Sequence, residues 1–487
     1  MKRIVIIGAG ISGLAAANRL VELSQTTQQP IQLALLEASD RLGGTILTER
    51  HDGFLLERGP DSFISEKPEA VALAHRLGLE SRLLQTNAGQ RRSFIVRQGK
   101  LRAVPEGFQL LAPSRMWPFI TSNIFSFEGK LRMAGDLLLP RKKRTVADDE
   151  SLADFVRRRL GREALERMAQ PMVGGIYTAN PETLSLRATL PRFLELEQEH
   201  RSIILGMWRR GRSQSPAEKA GTSGARYSLF LSFDDGIQVL IDALAKKLTG
   251  YPVGQDGVQV ALRVNTRADK VEQNFGRSGS AWKVTTDWGD TLEADAVCLA
   301  LPAYQAASLL QRMNRQLIDA LKQIKYASTA TINLAYRRSD IKHSLNGFGF
   351  VVPFIERRSV LACTFSSVKF PGRAPDDHVL LRVFVGGALQ PELLELEESK
   401  MLAKVRADLR ALLGIEREPL FTKVTTWSNS MPQYEVGHLE RVKLIEETLN
   451  ELPGLTLCGN AYRGAGIPDC IRSGETAAEK MMQYAAQ

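Results

Sequence analysis

Ile4-Val5-Ile6-Ile7-Gly8-Ala9-Gly10-Ile11-Ser12-Gly13-Leu14-Ala15-Ala16-Ala17 decides the fold. A short β-branched run that ends in glycine reads as a buried strand. Leu14-Ala15-Ala16-Ala17-Asn18-Arg19-Leu20 is a good helix by propensity. The glycine-rich turn therefore lies between a strand and a helix, which is the context a dinucleotide fingerprint requires. Gly8 permits the tight turn, Gly10 lets the backbone approach a pyrophosphate, and Gly13 lets helix and strand pack closely. The anion is expected at the helix N-terminus, where unpaired N–H groups and the helix dipole favour negative charge.

Working outward, Ile31-Gln32-Leu33-Ala34-Leu35-Leu36 reads as the next strand, ended by Glu37. That carboxylate lies 24 residues after Gly13, near the spacing of an acid that takes ribose hydroxyls. Asp40-Arg41-Leu42-Gly43-Gly44-Thr45 then sets a glycine pair just after the acid. Gly53-Phe54 and Glu57-Arg58-Gly59-Pro60-Asp61-Ser62 follow. This pattern resembles the paired-glycine FAD proteins: amine oxidases, carotene desaturases and porphyrinogen oxidases. The resemblance implies FAD rather than NAD.

The 487 residues suffice for two or three domains with a sizeable core. Apolar and charged fractions of 44% and 24% are ordinary for a soluble globular protein. The four cysteines (298, 363, 458, 470) show no C-x-x-C spacing and no His/Cys cluster. This argues against structural zinc and disulfides and suits a reducing cytosol. The apolar run after Met1-Lys2-Arg3 is too short for an export signal, and no run approaches membrane-spanning length. The expectation is a cytoplasmic protein without a metal site.

Of the net charge of +10, most sits between Arg91 and Arg144, where twelve Lys/Arg face three acids. No nucleic-acid motif accompanies it. A solvated surface, an anionic membrane surface and an anionic substrate remain open readings. Phe108–Phe127 is rich in aromatics and aliphatics and precedes Arg141-Lys142-Lys143-Arg144. It reads either as an interfacial membrane segment or as the cover of the protein's own core or pocket.

Along the chain, Pro68–Leu84 and Leu152–Met168 read as helices, and Gln170-Pro171-Met172-Val173-Gly174-Gly175-Ile176-Tyr177 as a turn. Leu184–Arg201 reads as helix and Arg209–Gly224 as an exposed loop. Strands are expected at Phe94–Val96, Leu101–Val104 and Tyr227–Phe233, and Val258–Val264, Lys270–Glu272 and Trp282–Thr286 read as a meander. Ala296–Leu301 returns to the first domain. Thr329–Tyr336, Phe348–Val352, Val360–Phe365 and Val379–Val385 suggest a second sheet, and Glu392–Leu413 a helix stopped by Gly414. Leu455–Cys458 and Gly464–Cys470 repeat the strand, glycine turn and helix order, so the C-terminal segment is expected back at the cofactor.

The chain resembles the oxygen-dependent protoporphyrinogen/coproporphyrinogen oxidases along nearly its whole length. The resemblance rests on Gly53–Phe63, Gly174-Gly175-Ile176-Tyr177 with Leu184–Arg187, Phe365-Ser366-Ser367 before Phe370-Pro371, and Phe384-Val385-Gly386-Gly387. Pro432-Gln433-Tyr434 and Ala461–Ile471 add to it. It implies an α/β (α+β overall) protein. A Rossmann-like FAD domain of paired-glycine type would comprise residues 1–90, 226–302 and 453–487. A mixed-sheet substrate domain would comprise 91–107 and 303–452, and a helical insertion able to sit on a membrane 108–225.

By the same resemblance, FAD contacts fall on Gly8, Ala9, Gly10, Ile11, Ser12, Gly13, Glu37, Ala38 and Thr45. They continue on Gly59, Pro60, Asp61, Ser62, Ala268, Trp427, Ala465, Gly466 and Ile467. Substrate contacts fall on Arg91, Arg92, Gly175 and Phe365. The implied reaction removes six electrons from a porphyrinogen in three FAD cycles, with O2 as acceptor and hydrogen peroxide as product. The flavin carries the chemistry, so no catalytic acid or base is named. The implied partners are the porphyrinogen and O2, with peripheral attachment to an anionic membrane and a homodimer left open. An amine oxidase and a carotene desaturase share the FAD half. A flavin-free Rab-escort-type binding protein is opposed by Gly8, Gly10, Gly13, Glu37 and Gly43-Gly44.

Overall fold

Alternation along Lys2–Ile7 sets the architecture: Ile4 and Ile6 enter one apolar core, Val5 and Ile7 another. The computed structural model describes residues 1–143, 148–213, 230–253, 257–274, 281–311 and 313–486. Five parallel strands run in the order Val258–Arg263, Ile31–Leu36, Lys2–Ile7, Ala296–Leu299, Leu455–Leu457. The chain fills one side of Lys2–Ile7 and then the other. The strand order therefore reverses at its C-terminal end, where open α/β sheets bind ligands. Ile11–Thr27, Gln238–Thr249 and Ile467–Ala486 cover one face.

The other face carries the meander Ala268–Gln273, Trp282–Thr286, Thr291–Ala294 and the helices Ala303–Leu309, Arg315–Lys322 and His438–Leu449. Two sequence expectations change here. Val258–Arg263 extends the parallel sheet beside Ile31–Leu36 and does not join the meander. The boundaries drawn at 303 and 452 cut through one apolar core, because those three helices pack on the first sheet.

A second, mixed sheet has seven strands: Phe421–Pro432, Tyr326–Arg337, His378–Gly386, Ala362–Phe365, Gly349–Val351, Phe94–Arg97 and Lys100–Ala103. Ile332, Leu334, Leu381, Val383, Cys363, Phe365 and Phe350 share one face and pack with Met401, Val405 and Leu409 of the helix Glu398–Leu413. Gly414, with φ +67°, ends that helix as expected. Asn333, Thr364, Arg382 and Phe384 alternate onto the opposite face, toward the first domain. The 12-residue strand Phe421–Pro432 has no counterpart among the expectations.

A third core gathers Phe108, Phe119, Phe125, Phe155 and Phe193 with the helices Met116–Thr121, Leu152–Arg159, Gln170–Tyr177, Pro191–His200 and Ile203–Ser213. Beneath Phe127–Ala134, the fully buried Arg159 donates from Nε to Asp136 Oδ1 at 2.6 Å. Ser202 Oγ donates to Asp136 Oδ2 at 2.6 Å, so the buried carboxylate is satisfied.

Helix boundaries differ from the sequence reading where glycine or proline intervenes. The Pro68–Leu84 helix is only Glu69–Arg76, stopped before Gly78 (φ +70°), and Leu83–Gln85 is a strand. Leu152–Met168 breaks at Gly161 (φ +94°). Gln170–Tyr177 is a helix, not a turn: it continues a helix that starts at Arg162 and passes through a π-helical turn, Leu165–Ala169, just before Pro171. Leu184–Arg201 divides at Pro191. Of the loop expected at Arg209–Gly224, residues 209–213 finish a helix and 214–224 lie outside the described residues. No helix among the described residues is long and apolar enough to cross a membrane.

Candidate functional site: a glycine cradle and the cleft beside it

The first helix begins at Ile11 with Gly10 as its N-cap, without a side-chain cap and without an acid in its first turn. Its N-terminal N–H groups are left for a ligand. A Cβ on Gly13 would lie 1.9 Å from the Gly8 carbonyl oxygen, so glycine is obligatory for this helix–strand approach. A Cβ on Gly10 would meet only Gly44 Cα, at 4.0 Å, and would project into the open cradle. Gly10 and Gly43 form a parallel bridge, and Gly43 N–H donates to the Ala9 carbonyl at 2.8 Å. Glu37 sits over the turn: Ala9 N–H donates to Oε2 at 2.8 Å, Ser39 N–H to Oε1 at 2.9 Å. Ala38, Gly44 and Thr45 are exposed around it, whereas Ile11 and Ser12 are buried in the helix foot. These features fit a dinucleotide, because its pyrophosphate would take the space that a side chain at Gly10 would fill.

The remaining cofactor candidates converge on the same edge. Gly59 lies against Thr45, whose carbonyl would be 1.7 Å from an added Cβ. Trp427 Nε1 donates to the Arg58 carbonyl at 2.9 Å, which fixes the strand before Gly59-Pro60-Asp61-Ser62. Lys67 Nζ donates to Asp469 Oδ1 at 2.6 Å and thus ties that loop to the turn Ala465-Gly466-Ile467. Gly464 N–H donates to the Tyr434 hydroxyl at 3.0 Å. Ala268 is buried beside Leu36, and Thr266 N–H donates to the Glu37 carbonyl at 2.8 Å.

Charge is concentrated behind Gly59–Ser62. Lys369 Nζ lies 2.9 Å from Asp61 Oδ2 and donates to Ser62 Oγ at 3.0 Å. Arg382 Nη1 is 3.6 Å from Asp61 Oδ2, and its Nη2 donates to the Gly59 carbonyl. Burial alone would raise the Asp61 carboxyl, but Lys369 and Arg382 hold it well below the usual carboxylate range. Glu57 is 4% exposed, and burial pushes its carboxyl up to about 7 against the Ile237 N–H and the Thr48 hydroxyl.

A folded-state value above the ordinary 4.5 means that the stability tied to protonated Glu57 is full below 4.5. It is lost as pH rises through 7. At about 1.36 kcal/mol per unit, the loss amounts to roughly 3 kcal/mol. Glu57→Gln keeps a neutral group there. The variant is expected to melt several degrees above wild type at pH 8 and within a degree of it near pH 4.5 in calorimetric scans. Equal melting differences at both pH values would overturn this.

Of the substrate candidates, Arg91 and Arg92 line a cavity of about 670 Å³ together with Arg102, Asn123 and Asn346. Arg102 pairs with Ile95 across the hairpin and shares its face, the one turned to the helical core. Gly175 borders the sheet face that carries Val351, whose Cγ1 would be 3.6 Å from an added Cβ. Phe365 does not join them. It is fully buried on the opposite face, with its ring 6.1 Å from Phe350, and is a packing residue. Phe384, not among the expected substrate contacts, lies on that cleft face, as Trp427 does, with the Arg382 guanidinium 4.6 Å from its ring centroid. Alternation within Leu381-Arg382-Val383-Phe384-Val385 carries that signal. From Arg382 the row runs through Thr364 and Gly349 to the strand that follows Arg92. Three strand spacings put the arginine end on the order of 14 Å from Arg382.

A family model described as flavin containing amine oxidoreductase matches residues 11–482. Coproporphyrinogen III oxidase of Bacillus subtilis (strain 168) is 36% identical over 99% of this chain and 98% of its own. Protoporphyrinogen oxidase 2, chloroplastic/mitochondrial, of Arabidopsis thaliana is 28% identical over 99% and 94%. A crystal structure of a protein from Exiguobacterium sp. 255-15 superposes with TM-score 0.83 at 32% identity. It covers 100% of this chain and 99% of that one. The chain belongs to the flavin containing amine oxidoreductases and, within them, to the porphyrinogen oxidases: it is an FAD-dependent oxidoreductase.

Proposed function

We propose that this enzyme oxidises coproporphyrinogen III to coproporphyrin III, with O2 as electron acceptor and hydrogen peroxide as product. The observation that carries the substrate choice is the cavity lined by Arg91, Arg92 and Arg102 at the far end of the cleft face. Among its described lining residues, three guanidiniums stand beside one acid, Glu106, which pairs with Arg115 at 3.3 Å. Such an end suits a flat tetrapyrrole bearing four propionates better than one bearing two. The greater identity to the Bacillus subtilis relative than to the Arabidopsis thaliana one points the same way.

FAD would be held by Gly8 through Gly13 at the pyrophosphate and by Glu37, Ala38 and Ala268 at the adenosine end. Thr45, Gly59 through Ser62, Trp427 and Ala465 through Ile467 would contact the rest of it. Bound FAD supplies two-electron oxidation, so six electrons require three turns. The chain's own part is positional. Gly175 leaves room above the sheet, Phe384 offers a ring face to the macrocycle, and the arginines hold propionates.

The test is turnover of both porphyrinogens by purified enzyme, read by porphyrin fluorescence with peroxide counted in parallel. A higher kcat/KM for coproporphyrinogen III and about three peroxides per porphyrin, one for each two-electron turn, are expected. Failure to oxidise either substrate would overturn the reading, and preference for protoporphyrinogen IX would overturn the substrate choice.

The second part of the proposal is peripheral attachment at the cytoplasmic membrane. The Phe108–Phe127 segment divides its apolar residues. Phe108, Phe119, Ile124 and Phe125 are core, whereas Trp117 and Phe127 are 75% and 76% exposed. Ile120, Leu131 and Leu138 extend that exposed patch, and Lys130, Arg141, Lys142 and Lys143 accompany it. Arg144, the last of the basic run, lies outside the described residues. Apolar rings beside cations suit an anionic interface. Binding to anionic liposomes is expected at low salt, reduced at high salt and lost in the Trp117→Ser/Phe127→Ser variant. No binding at low salt removes this part.

A further inference from the structure

The proposed cofactor segment Gly59–Ser62 is backed by charges that no step described so far uses. Lys369 and Arg382 both reach the single carboxylate of Asp61, at 2.9 and 3.6 Å. Both cations are buried, at 7% and 4% exposure. Lys369 is packed between the rings of Phe230 and Phe370, its Nζ 5.4 and 5.1 Å from their centroids. Arg373 stands behind them, also buried, and its three hydrogen bonds go to neutral acceptors: the carbonyls of Asp234 and Phe233 and the Ser232 hydroxyl. The carboxylates of Asp234 and Asp235 are half-exposed, pair with Arg82 and Arg50, and reach Arg373 only through longer-range attraction. Within the buried group, three cations therefore face two carboxyls, Asp61 and Glu57. An uncompensated buried charge is expensive unless an anion shares the site. The fold nevertheless keeps these cations directly behind the loop assigned to the cofactor.

We propose that Lys369 and Arg382 are positioning residues that hold the Asp61–Ser62 segment and set surplus positive charge beside the flavin, favouring its electron-rich reduced form. The inference rests on the reading that Gly59–Ser62 borders FAD. It predicts opposite signs for the two halves of one ion pair. Removing the cation lowers the stability of reduced flavin; removing the carboxylate leaves more uncompensated positive charge and raises it. A purely structural loosening of the loop has no reason to reverse sign between them.

The experiment equilibrates the FAD-loaded enzyme with a redox dye during slow reduction, and the ratio of reduced to oxidised flavin is read from absorbance. Lys369→Met is expected to lower that ratio roughly tenfold at a fixed dye potential, the size of effect a unit charge has at a buried site. For a two-electron couple this is about 30 mV. Asp61→Asn is expected to raise the ratio, the double variant to return it close to wild type, and Lys369→Arg to leave it unchanged. Should Asp61→Asn fail to fold, Lys369→Met against Lys369→Arg still decides. Shifts of the same sign, or none, in variants that retain FAD would overturn the inference. A wild-type protein that takes up no FAD would instead overturn the reading of the site.

Discussion

Replacing Gly10 with valine should empty the protein of flavin. The added Cβ meets no protein wall, since only Gly44 Cα comes as near as 4.0 Å. The substitution is therefore compatible with the fold while filling the space in front of the uncapped helix N-terminus. Wild type is expected to purify yellow, and Gly10→Val to purify colourless, folded by circular dichroism and inactive. Full flavin content in Gly10→Val would refute the cradle. Gly13→Val is the instructive contrast, because it strikes the Gly8 carbonyl and should disrupt the fold itself.

Arg92→Ala should reduce kcat/KM roughly ten- to a hundred-fold, the range expected for losing one charge-assisted hydrogen bond of about 1.5–3 kcal/mol. Arg91→Ala is expected to have a comparable or smaller effect. Arg102→Ala should affect coproporphyrinogen III more than protoporphyrinogen IX, because it removes the charge that a further propionate would meet. FAD content should be unchanged in all three, since the cavity lies strands away from the glycine cradle. Unchanged kinetics with both substrates would show the guanidiniums to be surface charge alone.

The cradle was legible because its signals are local. Strand, glycines, helix, second strand and Glu37 follow one another within the first 37 residues. The glycines also announce their roles through backbone demands that no other residue meets. The second sheet was legible as apolar alternation but not in its order. The parallel contact between Phe94–Arg97 and Gly349–Val351 joins residues some 250 apart. Phe365, named from the resemblance, looks inward with Leu381 and Val383, whereas Phe384 looks outward. The Lys369–Asp61–Arg382 cluster had no sequence signature, because its members come from three segments brought together only by packing. Gln170–Tyr177 was misread for a different reason. Its proline and two glycines are turn residues by composition, but the helix arrives from Arg162 through a π-helical turn, Leu165–Ala169, just ahead of Pro171.

The first and last segments of the fold are stitched together. A Cβ on Gly474 would lie 2.1 Å from the Ser12 carbonyl, so the helix Ile467–Ala486 crosses Ile11–Thr27 in direct backbone contact. The sheet likewise needs Leu455–Leu457 to complete the row that begins with Lys2–Ile7. At about 5–20 residues per second, the N-terminal turn waits roughly half a minute to a minute and a half for these partners during synthesis. The fingerprint helix lacks its packing partner until Ile467–Ala486 has been made. A stalled or truncated translation product would expose an unpaired strand edge and the apolar face of its first helix to chaperones.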